Sequence, residues 1–351
     1  MMLMPAQATA VDLFDSFKSL KVPVPTADVK SVVKAEDLRN SPPEDQLLRA
    51  QRAFENATAE QVIGEADILK AKDLAARKLV LPPNSQLILL PTGGSAGEPY
   101  YMIVAEEIVV QGPAMITWAR EDAIRQPPPD RGKAPNGAPG REEGANGEPG
   151  SDGDAGTPGY RGASAPSLIL VTRKLTGPGQ LFVDLRGQNG GPGGKGQDGG
   201  DGGPGARGRP ASQSMFDCRR GPGTGGNGGN GGKAGPGGQG GAGGDGGSVI
   251  VLAEEPKSIT AQAIVLIAGG AGGAPGAKGN PGNGGRGGPE GPAAPPFCRG
   301  ANRDGTAGQS STVLPMPASA GTLGVEGRFW PLPVATDRLD KIFSPAPTPV
   351  P

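Results

Sequence analysis

A mainly β fold is predicted for this chain: a β-solenoid-like stack of strand-corner-strand coils, interrupted by an inserted polyglycine-II or polyproline-II helix bundle and preceded by a small helical segment. Three observations predict it. Four stretches each carry two apolar runs around a polar or glycine-containing corner. Glycine falls at every third position from Gly187 to Gly208 without a miss. The 351 residues hold 64 glycines and 39 prolines but only 4% aromatic residues, too few for a large conventional core.

The amino terminus lacks the basic region and full apolar stretch of a secretory signal. Met1 to Met4 followed by Ala8-Thr9-Ala10 nevertheless looks like the end of one, with cleavage before Val11. Residues 1–63 read as helical. Val11, Phe14, Phe17 and Leu20 take helical spacing, and Ser41, Pro42 and Glu44 form a capping box before Leu47, Ala50 and Phe54 on one face. This segment is expected to cap the end of the β structure, with docking or oligomerisation as the alternative.

Residues 64–120 hold the first β coils, within ADILKAKDLAARKLVLPP and YYMIVAEEIVVQGPAMITWA. Residues 121–166 are a Pro/Gly-rich, collagen-like insertion that includes GANGEPGSDGDAGTPGYRG. Residues 167–330 alternate further coils, SLILVTRKLTGPGQLFVDLRG and SVIVLAEEPKSITAQAIVLIAGG, with tracts 187–208, 223–247 and 270–291. TLGVEGRFW is a weaker fifth unit, and the Pro-rich tail 331–351 reads as extended and mobile. Recurring units too small to bury their own faces indicate stacking.

Polyproline II has three residues per turn, so a Gly-x-x tract carries a stripe without side chains. Two glycines per triplet carry two stripes, which suits a tract surrounded by others like it. Collagen keeps one glycine and fills the other places with side chains. Residues 147–162, GEPGSDGDAGTPGYRG, fit that pattern, whereas the GGx tracts fit it poorly.

These tracts resemble the polyglycine-II proteins, including springtail antifreeze proteins and the glycine-rich domains of bacteriophage long-tail-fibre adhesins. The resemblance covers residues 130 to 310. It implies a rigid slab of packed helices and, from the adhesins, receptor binding by the loops at its end; the springtail proteins add ice binding as a possibility. The interleaved strand units depart from both.

Tracts 187–208 and 270–291 have the same length of 22 residues and 223–247 has 25, so each spans about 70 Å as polyproline II. Each outward tract ends in a turn with one cysteine, within SMFDCRRG and PPFCRG. A Cys218–Cys298 disulfide is therefore expected at the distal end, in an oxidising compartment. Met215, Phe216, Arg219, Arg220, Phe297, Arg299 and Arg303 should gather around it, residue types suited to recognition of an anionic or glycan partner. The alternative is that the two phenylalanines cover the disulfide while the arginines keep the tip soluble.

The chain has no histidine, which removes histidine-based triads, histidine general bases and the usual zinc sites. No catalytic constellation, cofactor or metal site is expected. Asp152, Asp154, Asp198 and Asp201 read as solvated charges, since the calcium-binding nonapeptide is not repeated. Glu106-Glu107 and Glu254-Glu255 read as exposed strand corners. A net charge of -1 argues against nucleic acid or an anionic membrane surface as the main partner, and no apolar run is long enough to span a membrane.

The function expected is a non-enzymatic, extracellular or cell-surface structural or adhesive protein: a filament or surface-layer building block, or the receptor-binding tip of a cell or virion. Self-association into a homo-oligomer or a cell-surface glycan receptor would supply the partner. An ice-binding protein and a collagen-like trimeric stalk are the alternatives.

Overall fold

The computed structural model describes residues 44–91, 100–120, 126–301 and 303–344. It is mainly β, with parallel sheets and three short helices among the described residues. The capping residues Ser41 and Pro42, and the helix expected from Val11 to Leu20, lie outside the described part.

Helix α1 (Glu44–Glu55) buries Leu47, Ala50 and Phe54, the face expected from their spacing. The helical reading of residues up to 63 is corrected: Thr58–Val62 is strand β1. It pairs in parallel with β3 (Asp73–Leu81), where Leu79, Val80 and Leu81 favour a buried strand.

One sheet runs in the order β1, β3, β5 (Tyr100–Val110), β7 (Ser167–Thr176), β11 (Val249–Ala253), β13 (Phe329–Pro333). The other runs β12 (Ala263–Leu266), β8 (Leu181–Asp184), β6 (Ala114–Trp118), β4 (Gln86–Leu89), β2 (Asp67–Leu69). Every neighbouring pair in both sheets is parallel. The chain thus alternates between sheets and advances one strand per circuit. The pairing of apolar runs changes accordingly: β2 and β3, read as one unit, belong to different sheets and successive circuits.

The two sheets enclose a core containing Leu79, Ile103, Leu168, Leu170, Leu181, Val183 and Val249. The opposite face of the first sheet buries Met102, Val104, Ile169, Val171, Ile250 and Leu252 beneath α1 and α3 (Thr336–Phe343). Burial on both faces explains why YYMIV is apolar without alternation. Each of these side chains contributes about 1.5–3 kcal/mol on burial.

The tail is not a free extension. Phe329–Pro333 completes the first sheet, and Pro331 and Pro333 are tolerated because β13 is its edge strand. Helix α3 then returns Phe343 to the core, 3% exposed, with its ring edge-on to Phe54 at 4.9 Å. Helix α2 (Pro256–Gln262) links β11 to β12. Three of the carboxylates at these corners have structural neighbours: Glu106 lies beside Arg173, Glu107 pairs in register with Lys174, and Glu254 accepts from Thr336.

The glycine tracts continue from the sheets. From β8 the chain runs out along 187–208 and returns along 223–247 into β11; from β12 it runs out along 267–291 and returns through 303–327 into β13. An earlier pair, 133–140 out and 144–165 back, leads into β7. Outward tracts bond to one another in parallel, as in Gly190 N–H to Ala271 O and Gly193 N–H to Ala274 O. Return tracts do the same, as in Gly147 N–H to Asn227 O and Gly150 N–H to Asn230 O. Between the two rows the bonds are antiparallel, as in Gly229 N–H to Gly203 O and Gly232 N–H to Gly200 O.

Both glycines of an interior triplet face a neighbour. A Cβ at Gly225 would overlap the Gly288 carbonyl, and one at Gly226 would overlap that of Ala145. The first and last return tracts are different. Residues 144–165 and 303–327 mostly keep one glycine per triplet, because only one of their stripes abuts another tract. The collagen-like pattern of 147–162 is therefore that of a row's end, its glycines bonded within the same chain. Tract 267–291 obeys the same rule locally. Pro275, Lys278 and Pro281 replace its first glycine opposite residues 310–318, where the return tract leaves the row between the bonds at 309 and 319.

Candidate functional site at the distal turns

Departure from the sheets is anchored by charge. Asp184 is buried at the end of β8, with Arg186 Nε at 2.8 Å and Arg120 Nη2 at 3.2 Å. Burial opposes its charged form, but the Arg186 hydrogen bond and the Arg120 charge outweigh it and hold the carboxyl below the usual range. Trp118 Nε1 donates to the Arg186 carbonyl at 3.0 Å, fixing the backbone where the tract begins.

Along the tracts, the third residue of each triplet sets the alignment. Its N–H is often received by a short side chain on the neighbouring tract. Asn227 N–H donates to Asn146 Oδ1, Lys233 N–H to Asp152 Oδ1, Asn280 N–H to Asp198 Oδ1 and Asn283 N–H to Asp201 Oδ1, each at 2.7 or 2.8 Å. Thr306 N–H then donates to Asn227 Oδ1 and Val325 N–H to Asp245 Oδ1. Partners in these bonds lie 79 to 82 residues apart.

Three of the aspartates read as solvated charges are corrected: Asp152, Asp198 and Asp201 are backbone acceptors. Asp154 keeps an exposed carboxylate, 3.7 Å from Arg131, while its N–H donates to Gln197 Oε1. A Lys195 hydrogen bond and the Asn280 N–H hold the Asp198 carboxyl below its ordinary range; Lys133 and the Asn283 N–H do the same for Asp201. Sequence reasoning missed this function. Its signal was the recurrence of Asn, Asp and Ser in one phase of the triplets, about 81 positions apart.

The two distal turns meet, and Cys218 and Cys298 form a disulfide. The first turn is a hairpin, β9 (Ser212–Gln213) against β10 (Cys218–Arg220). The Ser214 N–H donates to the Asp217 carbonyl, the Asp217 N–H to Ser214 Oγ and the Cys218 N–H to Asp217 Oδ1, which fixes the loop between them. In the second turn Ala294 and Cys298 exchange two backbone hydrogen bonds. Gln213 ties the turns together, donating to the Pro295 carbonyl at 3.1 Å and accepting from the Phe297 N–H at 3.4 Å.

The expected cluster separates into two groups. Arg303 belongs to the scaffold: its Nη2 donates to the Pro222 carbonyl at 3.2 Å and its Nε lies 3.6 Å from Glu290. Met215 and Phe216 are each 82% exposed and Phe297 is 44% exposed, so Phe216 does not cover the disulfide. Arg219, Arg220 and Arg299 are exposed as well. Among the described residues these three arginines make no ion pair. The arrangement offers an apolar apex with cationic groups beside it, mounted at the end of tracts pinned by backbone bonds. Among the described residues, no group of three or more His, Cys, Asp or Glu side chains could hold a metal ion.

No protein family model matches the chain, and no curated protein does. Among solved structures, a springtail antifreeze protein from Granisotoma rainieri, described as a nine polyproline type II helical bundle, matches at 28% identity. The match covers 43% of this chain and 86% of that one, with a TM-score of 0.08, too low to carry an argument about this molecule.

Proposed function

We propose that this is a non-enzymatic, exported adhesive protein in which β-solenoid-like coils carry polyglycine-II rods, and the disulfide-joined turns at their far end meet a cell surface. One observation carries the reading: Met215 and Phe216 stand 82% exposed beside exposed arginines at the end of the tracts farthest from the sheets. The disulfide supports an oxidising location. Among the described residues no helix is long and apolar enough to cross a membrane.

A self-associating building block is the second reading, favoured only by the open ends of the tract rows. Those ends are single-glycine tracts, whose side chains obstruct a further tract of the same kind. A collagen-like trimer would need the glycine stripe of 147–162, which is engaged within the chain. Ice binding fits poorly with a surface carrying the pairs Lys133–Asp201, Lys195–Asp198 and Lys233–Asp152.

The test is attachment of labelled protein to intact cells, with a variant carrying Arg219→Ala, Arg220→Ala and Arg299→Ala. Loss of attachment in a variant with an unchanged melting temperature is expected. Equal attachment by both proteins would remove the tip from consideration, and concentration-dependent fibres in electron micrographs would favour the building block.

A further inference from the structure

We propose that the tip docks peripherally on an anionic lipid bilayer, with Met215 and Phe216 entering the acyl boundary and Arg219, Arg220 and Arg299 on the headgroup phosphates. The inference rests on the tip reading above and names its partner. Two adjacent large apolar side chains, each 82% exposed, are an unusual feature on a surface facing only water. They are held there by local bonds. Ser214 and Asp217 close the loop, and the Asp217 carboxylate accepts from the Cys218 N–H, while Glu290 behind the second turn accepts from the Ala301 N–H and lies beside Arg303.

Phe297, on the second turn, adds a further apolar group through the disulfide and the Gln213 bridge. An apolar apex beside cationic groups matches the two layers of an anionic bilayer surface, acyl chains below phosphates. The net charge of -1 argues against an anionic membrane surface for the chain as a whole; the tip departs from that average, because three arginines lie in two turns joined by the disulfide. Lys133–Asp201 and Lys195–Asp198 pair along the tracts, where Arg161, Lys278 and Arg286 make no ion pair among the described residues; at the tip three such cations, Arg219, Arg220 and Arg299, fall in two turns joined by the disulfide. Other exposed apolar side chains, Val313, Leu314, Met316, Leu323 and Val325, are spread along the last return tract, with Glu326 next to Val325 and no such set of arginines in the same turn.

Flotation of the full chain with vesicles tests the proposal, using phosphatidylcholine alone and with about one third phosphatidylglycerol. Binding is expected only to the anionic vesicles, and to weaken between 0.1 and 0.5 M salt as the Debye length falls from about 10 Å to about 4 Å. Met215→Ser with Phe216→Ser should lower vesicle affinity at least tenfold. In Phe216→Trp, added indole emission should shift to the blue and be quenched by lipids brominated near the headgroup. Equal flotation of the serine variant would overturn insertion. Capture by beads of sulfated polysaccharide without vesicle binding would assign the arginines to a glycan instead. Absence of vesicle binding with cell attachment retained would overturn the lipid partner and leave the adhesive reading; loss of both would overturn both.

Discussion

The sheets and the glycine tracts lie on the same circuits of the chain, yet they are stabilised by different means. In the sheets, side chains such as Leu79, Ile103, Leu168 and Leu181 fill the space between layers, and the backbone bonds lie within each layer. In the tracts, backbone bonds run both within and between rows, and the space between neighbouring tracts admits no side chain, whether across rows at Gly225 or within a row at Gly226. Cohesion by burial tolerates some change of volume. Cohesion by backbone contact does not, because a carbonyl cannot adopt another rotamer.

The largest effect should come from breaking the tract side of this contrast. Gly226→Ala with Gly229→Ala places methyl groups on the Ala145 and Glu148 carbonyls and should cost more than about 5 kcal/mol, or prevent folding. Ala242→Ser, in the outward phase of the same tract, should stay within about 0.5 kcal/mol, both read by urea denaturation. Leu181→Ala, on the sheet side, should cost about 2–5 kcal/mol, with hydrogen exchange rising in β6, β8 and β12.

Replacing both cysteines by serine should cost about 2–4 kcal/mol. The separation of 80 residues between them favours a substantial effect, and exchange should rise first at the two distal turns. Asn227→Ala removes the acceptor of the Thr306 N–H and should cost about 0.5–1.5 kcal/mol. The cost is kept small by the exposure of the site.

The smallest effect is one of pH. The carboxyls of Asp198 and Asp201 are held below their ordinary range in the folded chain. Their contribution is therefore fully present above an unfolded value of about 3.9 and is lost as pH falls through the lower folded value. Amide chemical shifts of Asn280 and Asn283 should move in that acid window and stay flat in Asp198→Asn with Asp201→Asn.

Much of the tract half was legible because its rule is local. Glycine at every third position set the limits of 187–208 and 223–247, and the single cysteine in each turn pointed to the disulfide. The apex residues were legible too, since a side chain in a turn at the end of two tracts has little to cover it. The errors fell where the partner is distant in sequence. Phe343 is buried against Phe54, 289 positions earlier, and nothing in the local sequence FSPAP marks it as a core residue. Arg303 looked like the other tip arginines until Pro222 and Glu290 came beside it.

By itself the sequence determined the chemistry of each position: which phase of a triplet can approach a neighbour, which runs prefer strands, and which turns carry thiols. It determined even the single or double glycine that fits a tract for the end or the interior of a row. Tertiary structure decided which segments are neighbours. Glycine stripes carry no side chain to distinguish one partner from another, so alignment rests on distant contacts, such as Asn227 with Asn146 and Thr306, that exist only once the circuits have stacked.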